Sequence, residues 1–408
     1  NISSFVMFLN KIDIKSVYTN SFIQLFSIII IVLFIVYYHV NISARNVLWL
    51  QTYPVRAQLS LANIKCSDSS PLWLIDILKY QVRNNAPSNQ IAYIDPQGQL
   101  HHCENGYVGK YPLLSNAVTE QTRFRFASVT KLWTSDAILS LIKDGKLSLD
   151  TKVSDIITEI NSPKDTRIND ITIGQLLLHR AGFDRYSVFG QDMFGIGKDI
   201  CPNHIEGLND ITLGFDPDSK TSYSNLGYCL LGEVISRANS HKPYTDIIAH
   251  QYDFANTSLR FISNTAMPDE VFYNHVETGL TGYADIYTAF DYDGLASAAG
   301  LSGNAIELAK QVKSMANQLA PNILSLDAEV SCDASQIAEC YGYAMLPYQP
   351  TGKSATVYYR DGNLLGLSSL VAVDEQGSVL ALLSNGTPNT GVDHNVKMML
   401  YEQMIAAR

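Results

Sequence analysis

One stretch divides the chain before anything else is read. From Phe22 to Val40 it runs FIQLFSIIIIVLFIVYYHV, and no charged residue occurs between Lys15 and Arg45. A helix needs roughly 20 apolar residues to cross the core of a bilayer. The run therefore predicts a membrane anchor over 22–40, with residues 1–21 on the cytoplasmic side because Lys11 and Lys15 precede it. Tyr37 and Tyr38 would meet the outer interface. A cleaved signal peptide is the competing reading, but the stretch is long for one and no small-residue cleavage site follows it. Either way the rest of the chain is exported. The expected location is the inner membrane, single-pass, with the folded part periplasmic or extracellular.

That exported part is long enough for one large domain or two smaller ones. The whole chain has 408 residues and a net charge of −10, which leaves no basic face for nucleic acid. No dinucleotide fingerprint, phosphate-binding loop or HExxH motif is present, so neither a metal nor an organic cofactor is expected. Six cysteines suit an oxidising compartment. Cys66 with Cys103 and Cys332 with Cys340 are candidate pairs, Cys201 lies in a polar stretch, and Cys229 reads as a buried thiol. With no CxxC spacing a zinc site is not expected, and His101-His102-Cys103 reads as an exposed turn.

Periodicity gives a coarse map. Residues 41–88 read as a juxtamembrane linker carrying a short amphipathic helix over Pro71–Val82, and 89–408 as the main domain. IAYIDPQGQLHHCENGYVG predicts strand, turn and strand; LSSLVAVDEQGSVLALLSNG predicts a hairpin near the end. Between them lie helical patterns at Ser128–Lys143, Leu226–Asn239 and Asn304–Leu319. Shorter helices are expected in LSLDTKVSDII and ITIGQLLLHRAGF, and loop over most of 184–220. DHNVKMMLYEQMIAAR predicts a closing helix. Strands at both ends and helices between them imply an α+β fold, with one sheet built from both chain ends and a mainly helical insertion.

Chemistry enters with serine and lysine at i and i+3. On a helix the two side chains share a face. A serine at a helix N-terminus sits in a positive field, and a partly desolvated lysine accepts a proton more readily. Two such pairs occur, Ser128/Lys131 and Ser140/Lys143. Ser140 lies inside the apolar-periodic run, where its hydroxyl would bond the preceding turn, whereas Ser128 begins it. The second signal is Tyr223-Ser224-Asn225, just before a helix. A tyrosine beside a lysine cation would release its proton more easily and act as a base, and Asn225 would orient the lysine and a substrate amide. Tyr18-Thr19-Asn20 has the same spacing but lies on the cytoplasmic side of the anchor.

Taken in order, TRFRFASVTK, LLLHRAGF, YSNLGYCLLGEVI, ASAAGLSGNAIELAK, DGNLLGLSS and LALLSNG resemble the penicillin-binding and serine β-lactamase-like hydrolases. The branch they resemble holds the class C β-lactamases, D-alanyl-D-alanine carboxypeptidases and esterases, and the resemblance runs from about Gln90 to the end. It implies a β-lactamase/transpeptidase-like fold for 89–408. It also implies an acyl-enzyme on Ser128, with Lys131 and Tyr223 handling protons and Asn225 binding substrate. The backbone N–H groups of Ser128 and Asn363 would form the oxyanion hole. His179 matches a loop of structural use. The third motif departs from the pattern: Arg360-Asp361-Gly362 stands where Lys-Thr-Gly or His-x-Gly is expected. Arg360 and Gly362 are expected on the substrate-binding side, Arg360 to attract a carboxylate, while Asp361 adds a negative charge there and disfavours β-lactam and D-Ala-D-Ala recognition. Lys353 reads as a loop charge. The implied activity is that of an anchored carboxypeptidase-like or esterase-like hydrolase of small-molecule or cell-wall peptide substrates. A class C-type β-lactamase and an inactive scaffold are the alternatives.

Overall fold

The computed structural model describes residues 14–40, 51–185, 192, 200–273, 276–277, 283–284, 286–386 and 390–406. The chain divides at Arg56/Ala57 into two units. In the first, helix α1 (Ile14–Val40) contains the apolar run, and every described side chain from Phe22 to Tyr37 is exposed. Among the described residues no helix is long and apolar enough to cross a membrane.

The second unit is built on a seven-stranded antiparallel sheet. Its strands are β1 (Lys65–Cys66), β2 (Asn89–Ile94), β3 (Leu100–Asn105), β4 (Leu346–Tyr348), β5 (Val357–Leu364), β6 (Leu367–Asp374) and β7 (Val379–Ser384), in spatial order β1-β3-β2-β7-β6-β5-β4. The two ends of the unit meet where β2 pairs with β7, Ile91 opposite Leu382. Alternation decides which layer each side chain joins. Ala92, Ile94, Val371, Val373, Val379, Ala381 and Leu383 face the large core. Ile91, Tyr93, Leu370, Ala372, Leu380 and Leu382 face the smaller one. With both faces covered, β6 and β7 are fully buried and read as nearly continuous apolar runs.

The smaller core lies under α2 (Leu72–Arg83) and α7 (Thr390–Ala406), through Leu74, Ile77 and Leu78 of the first and Val396, Leu400 and Met404 of the second. The larger core holds α3 (Lys131–Lys143), α4 (Asn225–Ala238), α5 (Tyr292–Ala299) and α6 (Ala305–Ala316). This is the predicted α+β architecture of an end-to-end sheet with a helical insertion.

Several local expectations differ from what is seen. The segment read as a linker to residue 88 is, from Ala57 onward, part of the second unit. Leu74, Ile77 and Leu78 find a sheet face to cover, and Lys65–Cys66 extends that sheet beyond β3. His101 and His102 lie in β3 rather than in a turn, and His102 Nδ1 is 2.7 Å from Glu104 Oε1. Among the described residues there is no metal-binding group of histidine, cysteine and carboxylate side chains. LSLDTKVSDII forms only a 3-10 turn at Val153–Asp155, because its apolar residues are too few to cover a full helix face. Cys229 is not a thiol: it pairs with Cys201, beside the disulfides Cys66–Cys103 and Cys332–Cys340. The apolar helix position that suggested burial is also where Cys201 approaches.

Cys201–Cys229 ties the long 184–220 connection to α4 and closes 28 residues. A loop of that size in the unfolded chain corresponds to about 3.5 kcal/mol of stabilisation. The double variant Cys201→Ser/Cys229→Ser should unfold in urea with a free energy lower by about that amount; an unchanged midpoint would show that the link is not formed in the protein.

Candidate active site

Ser128 stands on a short 3-10 turn, Ala127–Thr130, that leads directly into α3. The α-helix starts at Lys131, three residues later than the pattern suggested. Ala127 has φ +45°, a left-handed conformation that a residue with a Cβ adopts only when its surroundings impose it. The surroundings here are tight. Ser369 Oγ of β6 donates to the carbonyl of Phe126. A Cβ on Gly362 of β5 would stand 2.6 Å from both Phe126 O and Ser128 N. Only glycine lets the strand come this close to the turn.

Lys131 is fully buried at the head of α3. Its Nζ donates to Asn225 Oδ1 at 2.7 Å and to the Ala298 carbonyl at 2.9 Å, and lies 3.4 Å from Ser128 Oγ. Burial, reinforced by the nearby Arg360 cation, pushes its pKa well below the ordinary lysine value. A neutral amine has two N–H donors and one lone pair. With both donors used on Asn225 and Ala298, the lone pair is left for the third neighbour, the hydroxyl of Ser128.

Tyr223 Oη donates to Ser128 Oγ at 2.6 Å. The expectation that the lysine would ease loss of the phenol proton is overturned. Burial raises the pKa of Tyr223, and the opposing influence of Arg360 does not cancel it. At rest Tyr223 is a neutral donor. His179 holds it in place: the rings lie 4.6 Å apart, and His179 Nδ1 accepts the N–H of Ser224 at 3.1 Å. Burial, with Arg360 next, keeps His179 neutral by lowering its pKa well below 6.5.

Asn225 opens α4, with Ser224 as its N-cap through a bond from the Gly227 N–H. The residue that aims it lies far away in sequence. Asp192 Oδ1 accepts from Ser224 Oγ (2.8 Å) and from the N–H groups of Asn225 (2.7 Å) and Leu226 (3.2 Å). The Asp192 carbonyl accepts from Asn225 Nδ2 at 3.3 Å. The amide nitrogen is thereby turned to Asp192 and its oxygen to Lys131. Asp192 is fully buried and satisfies helix donors that would otherwise be orphaned. Sequence reasoning missed it, since an aspartate in a Gly- and Asp-rich connection carries no local mark.

The third motif is placed as the alignment implied, with one exception. β4 pairs with β5 only as far as Tyr359, so the outer edge of β5 is open from Arg360 on. The two-residue turn after Leu364 and the pairing of Tyr359 with β4 set the alternation. Asp361 and Asn363 therefore turn their backbone N–H groups to the open edge. Arg360 does not face a substrate. It is 2% exposed, donates to the carbonyls of Ser128 and Ala344 at 3.3 Å each, and lies under the rings of Tyr223 and Tyr228. Its strand position puts its side chain on the same face as Gly362, against the core. Lys353 is a surface charge 3.7 Å from Glu402. Lys143, partner of the second Ser-x-x-Lys pair, is exposed and donates to Gln318 rather than to Ser140.

Ser128, Tyr223, Asn225, Asp361, Gly362 and Asn363 open on one cavity of about 530 Å³, partly lined by apolar side chains such as Phe290 and Leu365. A serine hydroxyl with a buried lysine amine of lowered pKa and a phenol on it, beside two outward N–H groups, is suited to nucleophilic attack on a carbonyl.

Comparison with known proteins agrees. A family profile described as Beta-lactamase matches residues 105–401. A relative in Dichelobacter nodosus, named putative fimbrial assembly protein FimD, serogroup D, is 34% identical over 81% of this chain and 83% of its own. Penicillin-binding protein 4 of Amycolatopsis lactamdurans is 27% identical over 75% of this chain and 82% of its own. Among solved structures, the D-amino acid amidase of Ochrobactrum anthropi SV3 with L-phenylalanine amide superposes with a TM-score of 0.64 at 18% identity, over 82% of this chain and 96% of that one. The octameric penicillin-binding protein homologue of Pyrococcus abyssi gives 0.61 at 19% identity, over 80% and 76%. At these identities the structures show the fold alone.

With Lys131 as the group that takes the serine proton, the acid limb of the pH–rate profile for Ser128 modification by a fluorophosphonate follows its pKa. Arg360 lowers that pKa and Asp192 raises it. Arg360→Gln should therefore move the limb to higher pH and Asp192→Asn to lower pH. Shifts in the same direction, or none, would remove Lys131 from that role.

Proposed function

Because the chain belongs to the β-lactamase family of serine hydrolases, we propose that it cleaves amide or ester bonds in the cell envelope through an acyl-enzyme on Ser128, in the manner of a carboxypeptidase or esterase. The observation that carries this reading is the hydrogen-bond set on Ser128 Oγ: a 2.6 Å donor from Tyr223 and, 3.4 Å away, a buried lysine whose two amine donors are already used.

The chemistry follows from that set. As Oγ bonds to the carbonyl carbon, its proton passes to the Lys131 lone pair. The new ammonium and the Tyr223 O–H stay on the serine oxygen. The carbonyl oxygen becomes an oxyanion received by the N–H groups of Ser128 and Asn363. Collapse of the intermediate breaks the bond to the leaving nitrogen or oxygen, which takes a proton from Tyr223 as Lys131 re-protonates the phenol. Water then attacks the ester by the reverse path, its proton passing through Tyr223 to Lys131; the bond to Ser128 Oγ breaks, Lys131 returns the proton to Oγ, and the free acid leaves. Asn225 keeps the amine aimed throughout.

An envelope setting is supported by the three disulfides, which suit an oxidising compartment, and by the fimbrial-assembly name of the 34% identical relative. We further propose that α1 holds the protein at the inner membrane with the hydrolase unit outside. Its described side chains from Phe22 to Tyr37 are all exposed and, apart from Gln24 and Ser27, apolar or aromatic. Protein lacking residues 1–50 should leave the membrane fraction; if it stays there, α1 is not the attachment.

A fluorophosphonate probe or a labelled penicillin should modify the wild type once, at Ser128. Ser128→Ala should abolish the adduct and Ser140→Ala leave it intact. Absence of any adduct would make the chain a scaffold on this fold, and steady nitrocefin turnover lost in Ser128→Ala would make it a β-lactamase.

A further inference from the structure

We infer that Asp361 makes the groove beside Ser128 selective for substrates with an ammonium group near the scissile carbonyl, and unfavourable to a carboxylate there. The inference rests on Ser128 as the acylated residue and concerns what the groove admits; within the proposed function it favours an esterase over a carboxypeptidase, whose leaving group carries a carboxylate.

Asp361 owes its place to its neighbour. Gly362 is locked against the Ser128 turn, with room for nothing larger, so the residues on either side of it are held at a set distance from the nucleophile. Asn363 offers its backbone there. Asp361 offers a carboxylate that lines the cavity and is 35% exposed. Its Oδ2 accepts from Lys397 Nζ of α7 at 2.9 Å. Lys397 also donates to Asp393 at 2.8 Å and is itself 5% exposed.

Two carboxylates thus share one ammonium, and the shared cation is the most buried of the three. The wall of the groove formed by this cluster carries a net charge of −1. Among the described residues, the other cations near it lie off the groove surface or against another carboxylate, Arg360 acting on Asp361 from the core side. Arg360 is turned into the core beneath Tyr223. Arg185, the other charged residue among the described cavity-lining side chains, lies by Tyr223, its Nε 3.6 Å from Asp192.

A substrate carboxylate arriving at β5 would meet Asp361 with no uncommitted cation among the described residues to receive it. Like charges brought together in a partly desolvated groove repel strongly. An ammonium group would complete the cluster at two cations and two anions. Discrimination of this kind comes as much from rejecting the wrong charge as from attracting the right one.

The test is an isosteric series: p-nitrophenyl esters of β-alanine, butyrate and succinate, which place a cation, a methyl group and an anion at one position. Values of kcat/KM are normalised to the hydroxide-catalysed rates. For the wild type the β-alanyl ester should exceed the succinyl ester by about tenfold or more, with the butyryl ester between them. The ratio should shrink as salt is raised. In Asp361→Asn and Asp361→Thr it should fall to within about twofold of one, whatever their absolute rates. Asp393 still pairs Lys397 in both variants, so no buried charge is stranded. A flat series in the wild type, or an unchanged ratio in both variants, overturns the inference. If Ser128 takes a fluorophosphonate and the series is flat, selectivity alone is wrong. If Ser128 takes no label and no ester is turned over, the acyl-enzyme reading falls and this inference with it.

Discussion

The site depends on one buried amine. Lys131 has no solvent to lean on, and a lysine in that position is tolerable only if its charge is suppressed or its donors are fully used. Here both hold. The amine donates to Asn225 on α4 and to Ala298 on α5 while standing at the head of α3, so one nitrogen ties three helices together. Everything else at the site follows from keeping that nitrogen in place. Asp192 aims Asn225, His179 packs against Tyr223, and the left-handed Ala127 turns Ser128 toward both Lys131 and Tyr223.

The sheet supplies the second constraint. β6 and β7 are buried on both faces and tolerate little variation, and β5 is held along its whole length by β6. Only because β5 is rigid can Gly362 sit against the nucleophile turn without a gap. The same rigidity makes the substitutions in the third motif informative. Arg360 and Asp361 are adjacent in sequence, yet the strand sends them to opposite faces. One becomes a buried support for the carbonyl of Ser128. The other becomes the charge that a substrate meets.

A fold of this kind hosts several chemistries, and the residues around the nucleophile decide among them. Ser128, Lys131 and Tyr223 are assembled as an acylating enzyme needs them. On the groove side, the half-buried Asp361 shares the more deeply buried Lys397 with Asp393, and Arg360 is turned into the core. Nucleophile and groove are thus set by separate parts of the structure. Turn and helices make the first, and the edge of β5 with α7 makes the second.

Sequence alone determined a great deal. Ser128, Lys131 and Tyr223-Ser224-Asn225 were legible because local spacing and order along the chain carry them. The sheet built from both ends was legible because β2, β6 and β7 are short apolar runs bounded by turn residues. Three things were decided only by tertiary structure. Asp192 comes to the site from a connection with no pattern of its own. Cys229 finds Cys201, whereas its helix position alone suggested a buried thiol. The phenol of Tyr223 keeps its proton because burial among distant residues raises its pKa, which overrides the easing expected from the lysine. Periodicity and spacing record what a residue does to its near neighbours. Desolvation, and contacts between segments tens of residues apart, exist only once the chain has folded.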